Sequence, residues 1–255
     1  MTLIKWSQQR ITLIFPLTVV LVGFIGGFRG LWAEPAWAIA INPSQPVLEF
    51  EPPNDGAPGD REDAGSRPGC PKQEKPFTAL VPATNLGVTV AAYPTFWLYM
   101  PYRSGSVELV LEDEDTKNRV YQTRFQVKDG AGIISFRLPE TAPPLEIGKK
   151  YRWRFFFFCK PARESDFLAV NGVIKREPLT AMLRSQLEQV SPRERVALYA
   201  KNGWWHETFT ELAELRRAKP QDSSLAANWA KLLKHPLVGL DEIVSEPLVP
   251  CCKSE

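Results

Sequence analysis

A two-residue period dominates the middle of the chain. The runs "FTALVPA", "GVTVAAY", "TFWLYMPY", "SVELVLEDE", "RVYQTRFQV" and "GIISFRLPE" are short and rich in β-branched and aromatic residues. Gly, Pro, Asn or Asp separates them, which is the signature of strands joined by turns. Tyr121, Thr123, Phe125 and Val127 share one face, opposite Gln122, Arg124 and Gln126. Val107, Leu109 and Leu111 alternate with Glu108, Val110 and Glu112. Two further runs follow, "YRWRFFFFC" and "FLAVNGVIKRE". As a strand the first puts Tyr151, Trp153, Phe155, Phe157 and Cys159 on one side and Arg152, Arg154, Phe156 and Phe158 on the other.

Beyond Glu177 the period lengthens. Leu179, Met182, Leu183, Leu187 and Val190 fall on one helical face. Ser191-Pro192-Arg193-Glu194 combines a capping box with proline at the first helical position. The helix it opens stops at Asn202-Gly203. "WWHETFTELAELRRAKP" predicts another helix with Trp205, Phe209, Leu212 and Leu215 inward, and Asp222 caps "SSLAANWAKLLKH". Strands followed by helices, without βαβ alternation, predict an α+β fold. The expected plan is an antiparallel β-sandwich-like domain over 78–177 and a helical region of three to four helices over 178–255. Tyr199, Gly203 and Pro220 have the offsets of a tetratricopeptide helix pair, with Thr208 where alanine is usual. A single such repeat cannot stack into a solenoid, so a plain helical hairpin packed on the sheet is expected.

The N-terminus has a different character. Lys5 and Arg10 precede the apolar run "ITLIFPLTVVLVGFI", and Ala36-Trp37-Ala38 has the small-x-small form of a cleavage site. Residues 1–38 therefore read as a signal peptide, or as an anchor if uncleaved. Residues 39–77 are dense in proline and glycine and predict a disordered linker. Export in turn makes disulfides available to Cys70, Cys159, Cys251 and Cys252. The adjacent tail pair closes a strained ring if bridged, which favours Cys70–Cys159. Cys251 and Cys252 then stay free, join each other, or link two chains as a dimer.

Charge removes one class of partner. Lys and Arg total 31 against 29 Asp and Glu; residues 1–38 hold Lys5, Arg10 and Arg29 against Glu34, which leaves 28 of each. A neutral chain lacks the cationic field that nucleic acid requires. Catalytic signals are sparse. His206 and His235 stand near helix ends and read as solvated caps. No serine elbow or phosphate loop occurs. His235, Cys251 and Cys252 match no zinc spacing, and Asp113, Asp115 and Asn118 lack the glycine and distal glutamate of a calcium loop. No catalytic residue, metal or cofactor is assigned. Aromatics are the richer signal. "YPTFWLYMPY" presents Phe96, Leu98 and Met100 one way and Trp97 and Tyr99 the other. Trp97, Tyr99, Tyr102, Arg152 and Arg154 are the ligand-binding candidates, against the plainer reading of an aromatic strand buried under another element. The mixed second half of "YRWRFFFFC" leads to the expectation that the helices lie over Phe156 and Phe158.

The ordered set "PTFWLYMPY", "VELVLEDE", "GIISFRLP", "LEIGKKYRWRFFFFC" and "LYAKNGWWHETFTELAEL" resembles a family of secreted cyanobacterial proteins known as domain of unknown function 928, over about Pro68 to Leu248. The resemblance implies an exported, largely cyanobacterial protein and brings no catalytic residues; the expected destination is the periplasm or cell envelope, with the thylakoid lumen as the alternative. The expected role is a non-catalytic binding or scaffolding module for an envelope protein or polysaccharide. The rival is an envelope hydrolase acting on cell-wall or exopolysaccharide material.

Overall fold

The computed structural model describes residues 48–53, 55–63, 70–128, 131–160 and 165–251. The apolar N-terminal run, its cleavage motif and Cys252 lie outside them. Eight strands come first: β1 (Thr78–Ala79), β2 (Leu86–Thr89), β3 (Thr95–Met100), β4 (Gly105–Asp113), β5 (Arg119–Val127), β6 (Gly132–Arg137), β7 (Lys150–Phe158) and β8 (Phe167–Arg176). Four helices follow, α1 (Ala181–Gln189), α2 (Pro192–Lys201), α3 (Trp205–Ala218) and α4 (Ser223–Leu233), then a 3-10 turn at Asp241–Ile243. This is the α+β order that the change of period predicts.

The strands form a three-stranded sheet, β1-β3-β6, and a five-stranded sheet, β2-β8-β7-β4-β5. Their inner faces meet through rings. Phe96 of β3 stands edge-on to Trp153 and Phe155 of β7 at 6.0 and 5.7 Å, and Phe136 of β6 stacks on Phe125 of β5 at 5.0 Å. Val107, Leu109, Leu111, Tyr151, Trp153, Phe155 and Phe157 are all buried between the sheets. Each aromatic ring so buried removes about 150–250 Å² from water, worth roughly 4–6 kcal/mol before conformational entropy is charged against it. One pairing departs from the antiparallel plan: β2 runs parallel to β8. Parallel neighbours need a long crossover, and here everything from β3 to β7 supplies it.

The helices cover the outer face of the small sheet. Trp97 Nε1 donates to Thr210 Oγ1 of α3 at 2.9 Å, its ring lies 5.4 Å from Phe209, and the Arg217 guanidinium stands over it at 5.0 Å. The main helix–sheet contacts are those of α3 on β2 and β3. The expectation that they lie over Phe156 and Phe158 is therefore corrected. Both rings face the far side of the five-stranded sheet, where they pack on Phe167 of β8. The reason is competition between faces: β3 offers Trp97 and Tyr99 side by side, whereas the outer side of β7 carries two arginines.

Local signals hold where they depend on backbone chemistry. Ser191 and Glu194 form the expected capping box at α2, and Asp222 accepts from the Ser224 and Leu225 amides at α4. Gly203 follows α2 at φ +70°, where a side chain would be strained. Thr208 is buried with its hydroxyl satisfied, donating to Trp204 O at 2.8 Å. α1 is less embedded than its stripe suggests. Leu183 and Leu187 pack against Val88 and Trp204, while Met182 is 72% exposed.

The lead-in differs from the tether expected of it over the residues described. Leu48 and Phe50 are buried, with Phe50 edge-on to Trp205 at 5.2 Å. Glu51 N donates to Ala200 O, Asn171 N to Asp60 O, and Ala79 N to Arg61 O. The Arg61 guanidinium donates to Val81 O, Val238 O and Gly239 O. Proline removes strand propensity but leaves carbonyls free to accept, so an extended strap can still dock. The strap region ends at the Cys70–Cys159 disulfide, with Cα atoms 5.6 Å apart, the expected pairing. Cys251 is disulfide-bonded and half-buried against the core. Among the described residues no helix is long and apolar enough to cross a membrane.

Candidate functional site

The five candidate ligand residues do not converge. Trp97 and Tyr99 belong to the helix-covered side of the small sheet, and both are buried. Burial, with Glu246 nearby, pushes the Tyr99 hydroxyl up to about 12. Tyr102 lies between strands, stacked on Phe157 at 4.6 Å and donating to Pro71 O. Arg152 and Arg154 sit on the opposite side of the molecule. Arg152 grips Glu114 with two bonds, at 2.7 and 2.9 Å, and also donates to Pro58 O of the strap. Its hydrogen bonds hold the Glu114 carboxyl below the usual carboxylate range. Of the five, Arg154 alone combines an exposed setting with a place among other ligand-type side chains.

That setting is the outer face of the five-stranded sheet, which the register lays out in rows. One row runs Ala169, Phe156, Glu108, Arg124 across β8, β7, β4 and β5. The next runs Asn171, Arg154, Val110, Gln122. Glu108 receives Arg124 Nη2 at 2.6 Å and Gln122 Nε2 at 2.7 Å, and Arg154 Nη1 reaches Glu112 at 2.6 Å. At one corner Phe156, Phe158 and Phe167 cluster, with the Arg124 guanidinium 4.6 Å above Phe158. The face therefore carries half-buried Phe156 and Phe167 and buried Phe158 beside a lattice of largely paired charges, in which Arg119, opposite Glu112, donates to Gln122 Oε1.

A second unusual group is interior. His206 is 3% exposed, not the solvated cap expected. Its Nδ1 lies 3.0 Å from Thr95 O of β3, which fixes the proton on that nitrogen when the ring is neutral. Nε2 is buried without a partner, against Gly87 of β2, where any Cβ would fall 2.4 Å from it. Burial lowers the imidazole from 6.5 to about 4, against the opposing pull of the Thr95 carbonyl. Its neighbour Glu207 accepts from Thr89 Oγ1, Val90 N and Ala91 N through Oε1, and burial pushes its carboxyl up. Glu207 thereby closes the backbone donors at the point where the chain leaves β2. The signal that could have found this pair is the indole doublet before it: the first turn of α3 is wedged between β2 and β3, so more than one side of that turn is buried. His235 remains a local cap, its Nδ1 accepting from Leu237 N at 3.2 Å.

A family model for a domain of unknown function, DUF928, matches residues 62–248. The chain belongs to that family. The DUF928 span opens at Glu62, which bridges Thr78, and closes at Leu248, which bridges Ile133, so its limits coincide with backbone bridges onto the small sheet. It contains all eight strands, the four helices, the outer sheet face and the His206–Glu207 pair. The strap residues Leu48 to Arg61 precede it. No curated protein matches the chain.

Chemically, the outer face of this DUF928 domain can hydrogen-bond and stack. Each of its carboxylates Glu108, Glu112 and Glu114 is bound to an arginine, a state unsuited to general-acid work. A shallow hollow beside α1 is lined by Leu179, Ala181, Arg184, Ser185 and Glu188, with one carboxylate where glycoside hydrolysis needs two. Among the described residues no group of three or more His, Cys, Asp or Glu is placed to hold a metal.

Proposed function

We propose that this DUF928 protein is exported to a cyanobacterial envelope or periplasm and acts there as a non-catalytic binding or scaffolding module. The observation that carries the reading is the outer face of the five-stranded sheet. It gathers three phenylalanines beside arginine, glutamate and amide side chains, while the helices take up the aromatic face of the small sheet. The basic and apolar N-terminus and the Cys70–Cys159 bond support an oxidising destination. A hydrolytic role draws less support, because the outer-face carboxylates are tied to arginines and Glu207 is sealed beneath β2. A dimer linked through Cys251 and Cys252 is not required by this reading.

The test is fractionation and crosslinking of the tagged full-length chain in its native cell. The expected result is recovery with the envelope and capture of a partner that is lost with the surface double variant Gln122→Ala plus Arg154→Ala. Recovery in the cytosol would remove the export claim, and capture indifferent to that variant would remove the face as the binding surface.

A further inference from the structure

Resting on that reading, we infer that the outer face of the five-stranded sheet takes a neutral polysaccharide, with Phe156 as the stacking ring and Gln122, Arg154 and Asn171 as hydroxyl partners.

Charge argues first. Arg124 is matched by Glu108, Arg154 by Glu112 and Arg152 by Glu114, while Arg119 donates to Gln122 Oε1 and lies opposite Glu112 in the register. A polyanion drawn to the arginines meets glutamate beside each one, and a polycation meets the converse. Neither gains the unopposed field that drives charged ligands onto a surface. A protein partner fits less well for another reason: interface centres are depleted of charged residues, acidic ones included, whereas Glu108 and Glu112 stand on β4, an inner strand of this face. Sugar hydroxyls, each both donor and acceptor, suit what is present. Ionised groups already held in place form the stronger kind of hydrogen bond, and amides offer both roles on one side chain. The apolar C–H face of a pyranose requires a ring beside those groups. Phe156 supplies it, half-buried and held edge-on by Phe167 at 5.3 Å. The row from β8 to β5 spans about 15 Å at the usual strand spacing, so an extended chain can touch the ring at one point and the amides at others.

Affinity electrophoresis of the full-length chain through gels containing hydroxyethylcellulose, xyloglucan, dextran or alginate tests this directly. Retardation by at least one neutral polymer is expected, unchanged by salt, with alginate inert. Phe156→Ala should weaken binding about tenfold, the scale of losing one good aromatic contact. Phe156→Tyr, which keeps the ring, should retain it. Gln122→Ala, at an exposed position with no core contact to lose, should weaken binding several-fold with an unchanged melting temperature. No retardation by the neutral polymers, or salt-sensitive retardation by alginate, overturns the inference. If in that case a protein is still captured from the envelope in a Gln122- and Arg154-dependent way, the broader binding role survives alone. If neither assay responds to the variants, both fall and the face is a solvated sheet surface.

Discussion

Acidification should loosen the helices from the sheets through His206. The neutral imidazole fits its site, with Nδ1–H on the Thr95 carbonyl and Nε2 against Gly87; the imidazolium would place a buried charge there with no acceptor for its second proton. The folded chain holds its proton-binding midpoint near 4, against 6.5 in the unfolded chain. A group whose midpoint is lowered by folding stabilises fully above the unfolded value and loses that contribution as pH falls toward the folded one. The gap is two to three pH units, and at about 1.4 kcal/mol per unit it amounts to roughly 3 kcal/mol lost between pH 6.5 and 4. Glu207 works the other way. Its carboxyl is pushed up by burial, so protonation as pH falls relieves the folded state. The parent protein therefore shows the difference of two slopes, and single variants separate them. Urea unfolding followed by tryptophan fluorescence at pH 7.5, 5.5 and 4.5, with the disulfide intact, reads both. Glu207→Gln should steepen the acid loss toward the full His206 value. His206→Asn keeps a donor for Thr95 but does not titrate, and should flatten the loss or reverse it, whatever its cost at pH 7.5. Should His206→Asn and the parent share one pH slope, the imidazole is not the titrating group and the reasoning fails.

Two further outcomes follow from packing. Gly87→Ala puts a methyl 2.4 Å from His206 Nε2, so β2 or α3 must shift; a loss of about 1–3 kcal/mol is expected, larger than at an ordinary strand glycine, and Gly87→Ala combined with His206→Ala should recover part of it. Replacing Cys70 and Cys159 together by serine opens a loop of 89 residues, and the lost restraint on the unfolded chain is roughly 4–5 kcal/mol, measurable as a lower urea midpoint.

How far the sequence could be read depended on what each signal encodes. Alternation in "RVYQTRFQV" separates two faces, and Phe125 and Val127 are buried as it requires. The same alternation says that Trp97 and Phe96 point apart, yet not which layer each meets. The order of layers depends on the competition between whole faces, which is why the helices were expected over Phe156 and are found over Trp97. Capping at Ser191 and Asp222 was legible because it is a matter of neighbours in the chain. The burial of His206 was not, since it arises from β2 and β3 closing over one helical turn from more than a hundred residues away in sequence. The strap was misread for a related reason: Leu48 and Phe50 are two apolar residues in a proline-rich run, and composition averages them away. Of the candidate site, Arg154 was identified from its strand position; Glu108, Gln122 and Asn171 join it only through register.

The strap also sets an order of events. Its first residues leave the ribosome long before Trp205, Val238 and Gly239, the groups on which Phe50 and Arg61 close. Sequence separations of 177 and 178 residues across the Arg61 bonds mean that no amount of early folding can complete this clasp. The sandwich can assemble from its hairpins, with Asp60 and Arg61 docked on β8 and β1, but the Arg61 guanidinium cannot close on Val238 and Gly239 until the chain beyond α4 has been delivered. Closure of that clasp thus depends on chain length: a product broken off before Pro236 lacks both of these carbonyls, and the Arg61 guanidinium keeps only Val81 O.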